Sequence, residues 1–202
     1  MQRVRCSEAF MPEPEKVALF DMDGSLADLD KAMTSKLMEM ASPLELASEM
    51  DPRQFRYPYR SPPWLKARKH TIKREPGFWE HLDPIQFGLD LYQLFGDLGY
   101  RRMILTRGPR KNSQAWAEKV RWCERYVPDA EITVTLDKGL VYGKILYDDY
   151  PPYIEAWLKW RPRGKVIMLD APMNQDFQHP QVLRVTREPL ADQRDTLLEF
   201  IL

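Results

Sequence analysis

The chain has 202 residues, 44% of them hydrophobic, and its 30 basic and 30 acidic residues cancel to a formal net charge of +0. That is enough apolar material for one folded core, with room for a smaller insertion, and the balanced charge excludes a surface that as a whole concentrates the protein on nucleic acid or anionic membrane. Cys6 and Cys123 lie far apart, without the spacing of a zinc site or the density of a disulfide scaffold, no apolar run approaches the roughly 20 residues that span a bilayer, and the N-terminal stretch lacks a secretory apolar segment, so a soluble cytoplasmic protein is expected.

After a lead-in punctuated by Pro12 and Pro14, VALF at 17–20 reads as a short, fully buried strand of the parallel-sheet kind, and Asp21 and Asp23 sit at its carboxyl end. Residues 26–50 have helical spacing broken at Pro43. The stretch that follows is rich in proline and aromatic residues and reads as a loop-rich lobe with short helices. Residues 29–82 are therefore expected to be an insertion, a small and mainly helical cap, with 1–28 and 83–202 forming the core domain. Beyond Pro84, 85–98 is amphipathic with Gly99 placed to stop it, and RRMILT at 101–106 is the next buried strand. Residues 112–126 read as a helix, 132–136 and 144–147 as strands and 152–159 as a helix. Strands are expected again at 165–170 and 183–185, and a closing helix at 191–202. This alternation predicts an α/β fold of the Rossmann-like kind, a parallel sheet with helices on both faces.

Ligands of an open parallel sheet sit at the carboxyl ends of its strands. There the sequence places Asp21 and Asp23 after the first strand, Thr106, Arg107 and Gly108 after the second, and Asp148 and Asp149 after the fourth. Four converging carboxylates repel one another unless a cation compensates. With no histidine or thiolate in the set, a hard divalent ion fits, Mg²⁺ being the usual solution, and the ion in turn suggests an anionic substrate. A carboxylate can also act as a nucleophile, while a second one two residues on can protonate a leaving oxygen and later activate water.

DMDGS at 21–25, the apolar strand ending in Thr106, a later lysine and the Asp148-Asp149 pair resemble, in order, the four motifs of the haloacid dehalogenase-like (HAD) phosphohydrolases. Within them, DMDGSLAD, EPGFWEHLDPI (75–85), EKVRWCERYV (118–127) and LDKGLVYGKILYDD (136–149) are similar to the 5'(3')-deoxyribonucleotidase branch. Its members remove phosphate from nucleoside monophosphates using Mg²⁺ and a small helical cap. The resemblance implies Asp21 as the nucleophile, Asp23 as the acid/base with its backbone carbonyl on the metal, and Thr106 as the hydroxyl holding a phosphate oxygen. It implies Lys119 as the third-motif lysine, with Lys144 a competitor for that role, and Lys138 as a second substrate-proximal lysine. Asp148 and Asp149 complete the metal set with Asp21 and Asp23. The expected partner is a nucleoside monophosphate, with a homodimer as one possible assembly.

Three positions depart from the branch: Arg107 stands where it has a small hydroxyl, Leu29 where it has an aromatic, and Leu136 where it often has arginine. The cap aromatics Phe78 and Trp79 could stack on a base or anchor the cap. KARKHTIKR at 66–74 is either a solvated helical face or a phosphate-steering lip, through which any nucleic-acid contact would be local. His70, His81 and His179 show no metal spacing. A nucleic-acid 3'-end phosphatase is therefore the alternative enzyme, and a non-catalytic nucleotide-binding protein the alternative outside enzymes, disfavoured because neither Asp21 nor Asp23 is missing.

Overall fold

The computed structural model describes residues 16–46 and 62–202. Six strands pair in parallel in one sheet, in the order β3-β2-β1-β4-β5-β6. These are β1 Val17–Phe20, β2 Arg101–Arg107, β3 Glu131–Thr135, β4 Ile145–Asp148, β5 Lys165–Leu169 and β6 Val182–Val185. The expected α/β sheet is present, with the third strand ending at Thr135 and the fourth reaching Asp148.

Because side chains alternate across a strand, β1 serves two cores. Ala18 and Phe20 join the larger cluster with α4 Gln86–Asp97, α5 Ser113–Tyr126 and α7 Leu190–Ile201, whereas Val17 and Leu19 join Trp157 and Leu158 of α6 Pro151–Leu158 on the opposite face. On the first side Phe20 meets Tyr92, Phe95 and Tyr147 edge-on, with ring centroids 5.1, 5.6 and 5.9 Å away. Burial on both faces is what a near-continuous apolar run such as VALF buys in a parallel sheet. No helix among the described residues is long and apolar enough to cross a membrane.

The first helix starts at Leu29, three residues later than its apolar spacing predicts. The Met22 carbonyl accepts from the amides of Ser25, Leu26 and Ala27, so 22–27 close into a tight turn, and Asp28 becomes the N-cap, its Oδ1 accepting from Lys31 N at 3.2 Å. The chain then runs through α1 Leu29–Met40 and α2 Pro43–Leu46, and later α3 Pro63–Ile72. Residues 47–61, which carry the end of the expected 26–50 helix and part of the loop-rich lobe, lie outside the described residues. Both ends of 29–82 are tied together: Asp28 N donates to Asp83 O (2.8 Å), and Ile85 N donates to Leu26 O (2.7 Å).

Candidate active site

With β2 on one side of β1 and β4 on the other, the sheet order reverses at β1, and a crevice opens above its carboxyl end. Asp21 leaves β1 in that crevice, its amide donating to Tyr147 O of β4 at 2.8 Å. Met22 turns into the core, fully buried, and Asp23 comes back toward the crevice. Gly24 follows with φ +85°, and a Cβ there would overlap the Asp149 carboxylate, so only glycine passes so close to the acidic pair.

Asp21, Asp148 and Asp149 are buried, and each offers a carboxylate oxygen within 4.8 Å of the others. Lys138 Nζ lies between two of them, 2.6 Å from Asp21 Oδ1 and 2.7 Å from Asp148 Oδ2. Three carboxylates face one lysine. Burial pushes the Asp21 carboxyl up to about 7, against the pull of Lys138 and with help from Asp148 and Asp23. Burial likewise raises Asp149 well above the carboxylate range, aided by Asp21 and Asp148. For Lys138, burial favours the neutral amine, but Asp148 and Asp21 outweigh it and raise its pKa.

The surplus negative charge and the all-oxygen donor set fit a divalent cation. Asp148 is already engaged at both oxygens, by Lys138 and, at Oδ1, by Tyr150 N at 2.9 Å, whereas Asp149 lines the cavity beside Asp21. Asp149 is thus the carboxylate better placed to meet an ion. Asn174 holds this corner from behind, its Nδ2 donating to Asp149 O and Leu169 O at 2.8 Å each. Arg184 in turn donates to Asn174 Oδ1 (2.6 Å) and Asp170 Oδ1 (2.7 Å). No motif in the sequence marks that support.

A pH dependence follows for the metal-free protein. Between the ordinary Asp value of 3.8 and about 7, folded Asp21 keeps a proton that the unfolded chain has released. This stabilisation is full at acid pH and is lost as pH rises through about 7. A divalent ion would replace the proton, so a saturating divalent cation such as Mg²⁺ should raise the melting temperature by roughly 5–10 °C near pH 8 and by clearly less near pH 5.5. Equal gains at the two pH values, measured by thermal unfolding, would detach the metal from these carboxylates.

On the β2 side, buried Lys119 of α5 reaches across: it pairs with Asp23 Oδ2 and donates to Thr106 Oγ1 and Arg107 O, at 3.0 Å each. Asp23 Oδ1 is buried and has no hydrogen-bond partner among the described residues. Of the two lysines the resemblance implies, Lys138 contacts Asp21, and Lys119 serves Asp23 and Thr106. Lys144 precedes β4 and sits at the sheet's amino edge, where its amide bonds Val17 O.

A cavity of about 340 Å³ opens over Asp21 and Asp23. Leu29, Trp79, Arg107, Gly108, Leu136 and Tyr153 are in its wall. Arg107 Nη1 donates to Tyr153 Oη at 2.7 Å, and Gly108 packs under the Trp116 indole with no room for a Cβ. Trp79 has Lys119 over its ring at 4.4 Å and Lys73 at 6.0 Å. Its segment is held to α5 by buried Glu118, which accepts from Gly77 N (2.8 Å) and Trp79 N (3.2 Å). Phe78 is different: it is buried in the core edge-on to Trp79, with centroids 5.3 Å apart, and does not line the cavity. Lys73, from the basic run 66–74, also lines it, as do Asp30, Arg110 and Tyr150, which like Tyr153 were not singled out from the sequence.

A parallel sheet with acidic residues at the carboxyl end of its first and fourth strands, and a hydroxyl and two buried lysines between them, defines a haloacid dehalogenase-like hydrolase. Solved structures agree on the fold. A HAD family hydrolase from Deinococcus radiodurans R1 aligns with TM-score 0.52 at 16% identity, over 95% of this chain and 99% of that one. A Had-superfamily hydrolase from Ehrlichia chaffeensis aligns with TM-score 0.52 at 10% identity, over 94% and 100%. Residues 15–188 match the family described as "5' nucleotidase, deoxy (Pyrimidine), cytosolic type C protein", and the chain belongs to it. It is thereby a phosphoric monoester hydrolase of the nucleotidase kind. A Bordetella bronchiseptica protein named "Putative 5'(3')-deoxyribonucleotidase" is 30% identical over 161 residues, 78% of this chain and 85% of its own. The human cytosolic-type 5'(3')-deoxyribonucleotidase is 30% identical over 139 residues, 65% and 69% of the two chains.

Proposed function

We propose that the protein is a Mg²⁺-dependent phosphomonoesterase that hydrolyses nucleoside 5'- or 3'-monophosphates, deoxyribonucleotides among them, through an aspartyl-phosphate intermediate. The observation that carries the reading is the unequal setting of two carboxylates two residues apart. Asp21 is buried and clamped by Lys138, whereas Asp23 is held by Lys119 through one oxygen and keeps the other unpartnered among the described residues. Environments that separate two carboxyl groups in this way divide nucleophile from acid/base.

An Asp21 oxygen attacks phosphorus, the P–O bond to the nucleoside breaks, and the departing oxygen takes its proton from Asp23. Asp23, now a carboxylate, takes a proton from water. The water oxygen attacks phosphorus, the acyl-phosphate P–O bond breaks, and Asp21 returns as a carboxylate beside inorganic phosphate. Thr106 Oγ1 and Lys119 hold phosphoryl oxygens on one side and Lys138 on the other, and Arg107 with the Gly108 backbone closes the rim. Mg²⁺ held by Asp21, the Asp23 carbonyl and Asp149, with Asp148 as support, would supply the remaining positive charge.

Residues 29–82 serve as the cap over the core of 1–28 and 83–202, placing Leu29 and Trp79 against sugar and base, with Leu136 opposite. A phosphate-release panel tests the reading, across ribo- and deoxyribonucleotides phosphorylated at 5' or 3', with sugar phosphates alongside. Release from nucleotides only with Mg²⁺ is expected; no release from any nucleotide would end it.

A further inference from the structure

Behind the rim of the first cavity lies a second, of about 280 Å³. One wall is the end of α3 and the turn after it, with His70, Lys73 and Arg74; the other is the loop after β2, with Pro109, Arg110 and Lys111. Among the described residues no carboxylate lines it, although acidic and basic residues balance over the whole chain. Among the described residues, Arg74, Arg110 and Lys111 make no ion pair. These three exposed cations, without ion-pair partners among the described residues, focus a positive potential into the pocket between them.

This pocket is built rather than accidental. Asn112 fastens the two walls: its Nδ2 donates to Lys73 O at 3.0 Å, and its Oδ1 accepts from Ala115 N at 3.3 Å as the cap of α5. Trp116 Nε1 donates to Pro109 O at 2.9 Å and fixes the loop from below. Lys73, Pro109 and Arg110 line both cavities, so the basic pocket shares a wall with the site over Asp21. Burial lowers the Lys73 ammonium, against the pull of Asp23 and Asp30 and with help from Lys119 and Lys69.

We propose that this pocket is a second anion subsite, which takes a further phosphate of the same molecule whose phosphomonoester is cleaved over Asp21. The proposal rests on the phosphomonoesterase reading and adds to it that the preferred substrates carry two phosphates. The second phosphate is bound and not transferred. It could belong to a nucleoside bisphosphate or be the neighbouring phosphodiester of a 3'-phosphorylated oligonucleotide, since both present the same oxygens to the same cations.

The double variant Arg74→Ala/Lys111→Ala tests it, because both residues line the second cavity and neither lines the first. KM and kcat are measured for a deoxynucleoside 5'-monophosphate, its 3',5'-bisphosphate and a 3'-phosphorylated dinucleotide. Wild type should show a KM for at least one two-phosphate substrate about tenfold below that for the monophosphate, an advantage that shrinks with added salt. The double variant should lose the advantage and turn over the monophosphate as wild type does, which also certifies its fold. An advantage confined to the bisphosphate identifies a free nucleotide, and one for the dinucleotide a nucleic-acid end. Equal KM values in wild type, or an advantage that survives in the double variant, overturns the subsite while leaving the phosphomonoesterase standing. If no substrate is hydrolysed, the parent reading fails instead; titration calorimetry of the bisphosphate into wild type and the double variant then judges the subsite, equal affinities counting against it.

Discussion

Asp21→Asn should leave a folded protein that releases phosphate from nucleoside monophosphates at least about 10⁴-fold more slowly, the scale on which removal of a nucleophile acts. The amide keeps the shape of the carboxylate but cannot form the acyl-phosphate. Its effect on the fold should be small or favourable, because it removes one negative charge from a buried group where three carboxylates face one lysine. In metal-free buffer near neutral pH the variant should melt no lower than wild type, since Asp21, pushed up to about 7, is where wild type begins to accumulate unfavourable charge. The paired readout separates chemistry from damage. Wild-type turnover in the variant would remove Asp21 from the reaction, and a collapsed melting temperature would show that the carboxylate is needed for the fold.

Strand ends were the legible part of this site, and the reason is geometric. A fully apolar strand such as VALF has one place to go in a parallel sheet, and the residue after it must emerge at the carboxyl edge, so Asp21, Thr106 and the Asp148-Asp149 pair could be put in one crevice before any side chain was placed. What hid was set by tertiary packing. Lys138 lies in a single turn of 3₁₀ helix, Lys138–Leu140, between β3 and β4. Its spacing to Asp148 gave no hint that Nζ would insert between Asp148 and Asp21. Lys119 had a helical position and a familiar neighbourhood, and only the packing of α5 shows that its partner is Asp23. The basic run 66–74 divided according to how α3 docks: Leu65 and Ile72 are buried, Lys66 and His70 face solvent, and Lys73 turns into the cavity. Phe78 and Trp79 are adjacent aromatics with opposite fates, because Glu118 pins the backbone so that only the indole reaches the cavity.

Lys138→Met keeps much of the side-chain volume and removes the charge. It should cost about 3–5 kcal/mol of stability near neutral pH in metal-free buffer, the range for stripping one partner from a buried ion pair, and lower the melting temperature by roughly 10 °C. Asp21 and Asp148 are then left buried with no cation between them. Acidification should restore part of the loss, because protonating Asp21, whose carboxyl burial already pushes up, removes uncompensated charge. Adding Asp148→Asn should also restore part of it, a coupling that a double-mutant cycle reads directly. Turnover should fall about 10²–10³-fold, as when one preorganised donor is removed from a charged transition state. Lys119→Met makes the control. Its partner Asp23 keeps 21% of its side-chain surface in solvent, against 5% and 0% for Asp21 and Asp148, so water can take over and the stability loss should be less than half as large. If Lys119→Met proved the more destabilising, and Lys138→Met melted and turned over like wild type, the clamp of Lys138 on Asp21 would matter to neither fold nor turnover.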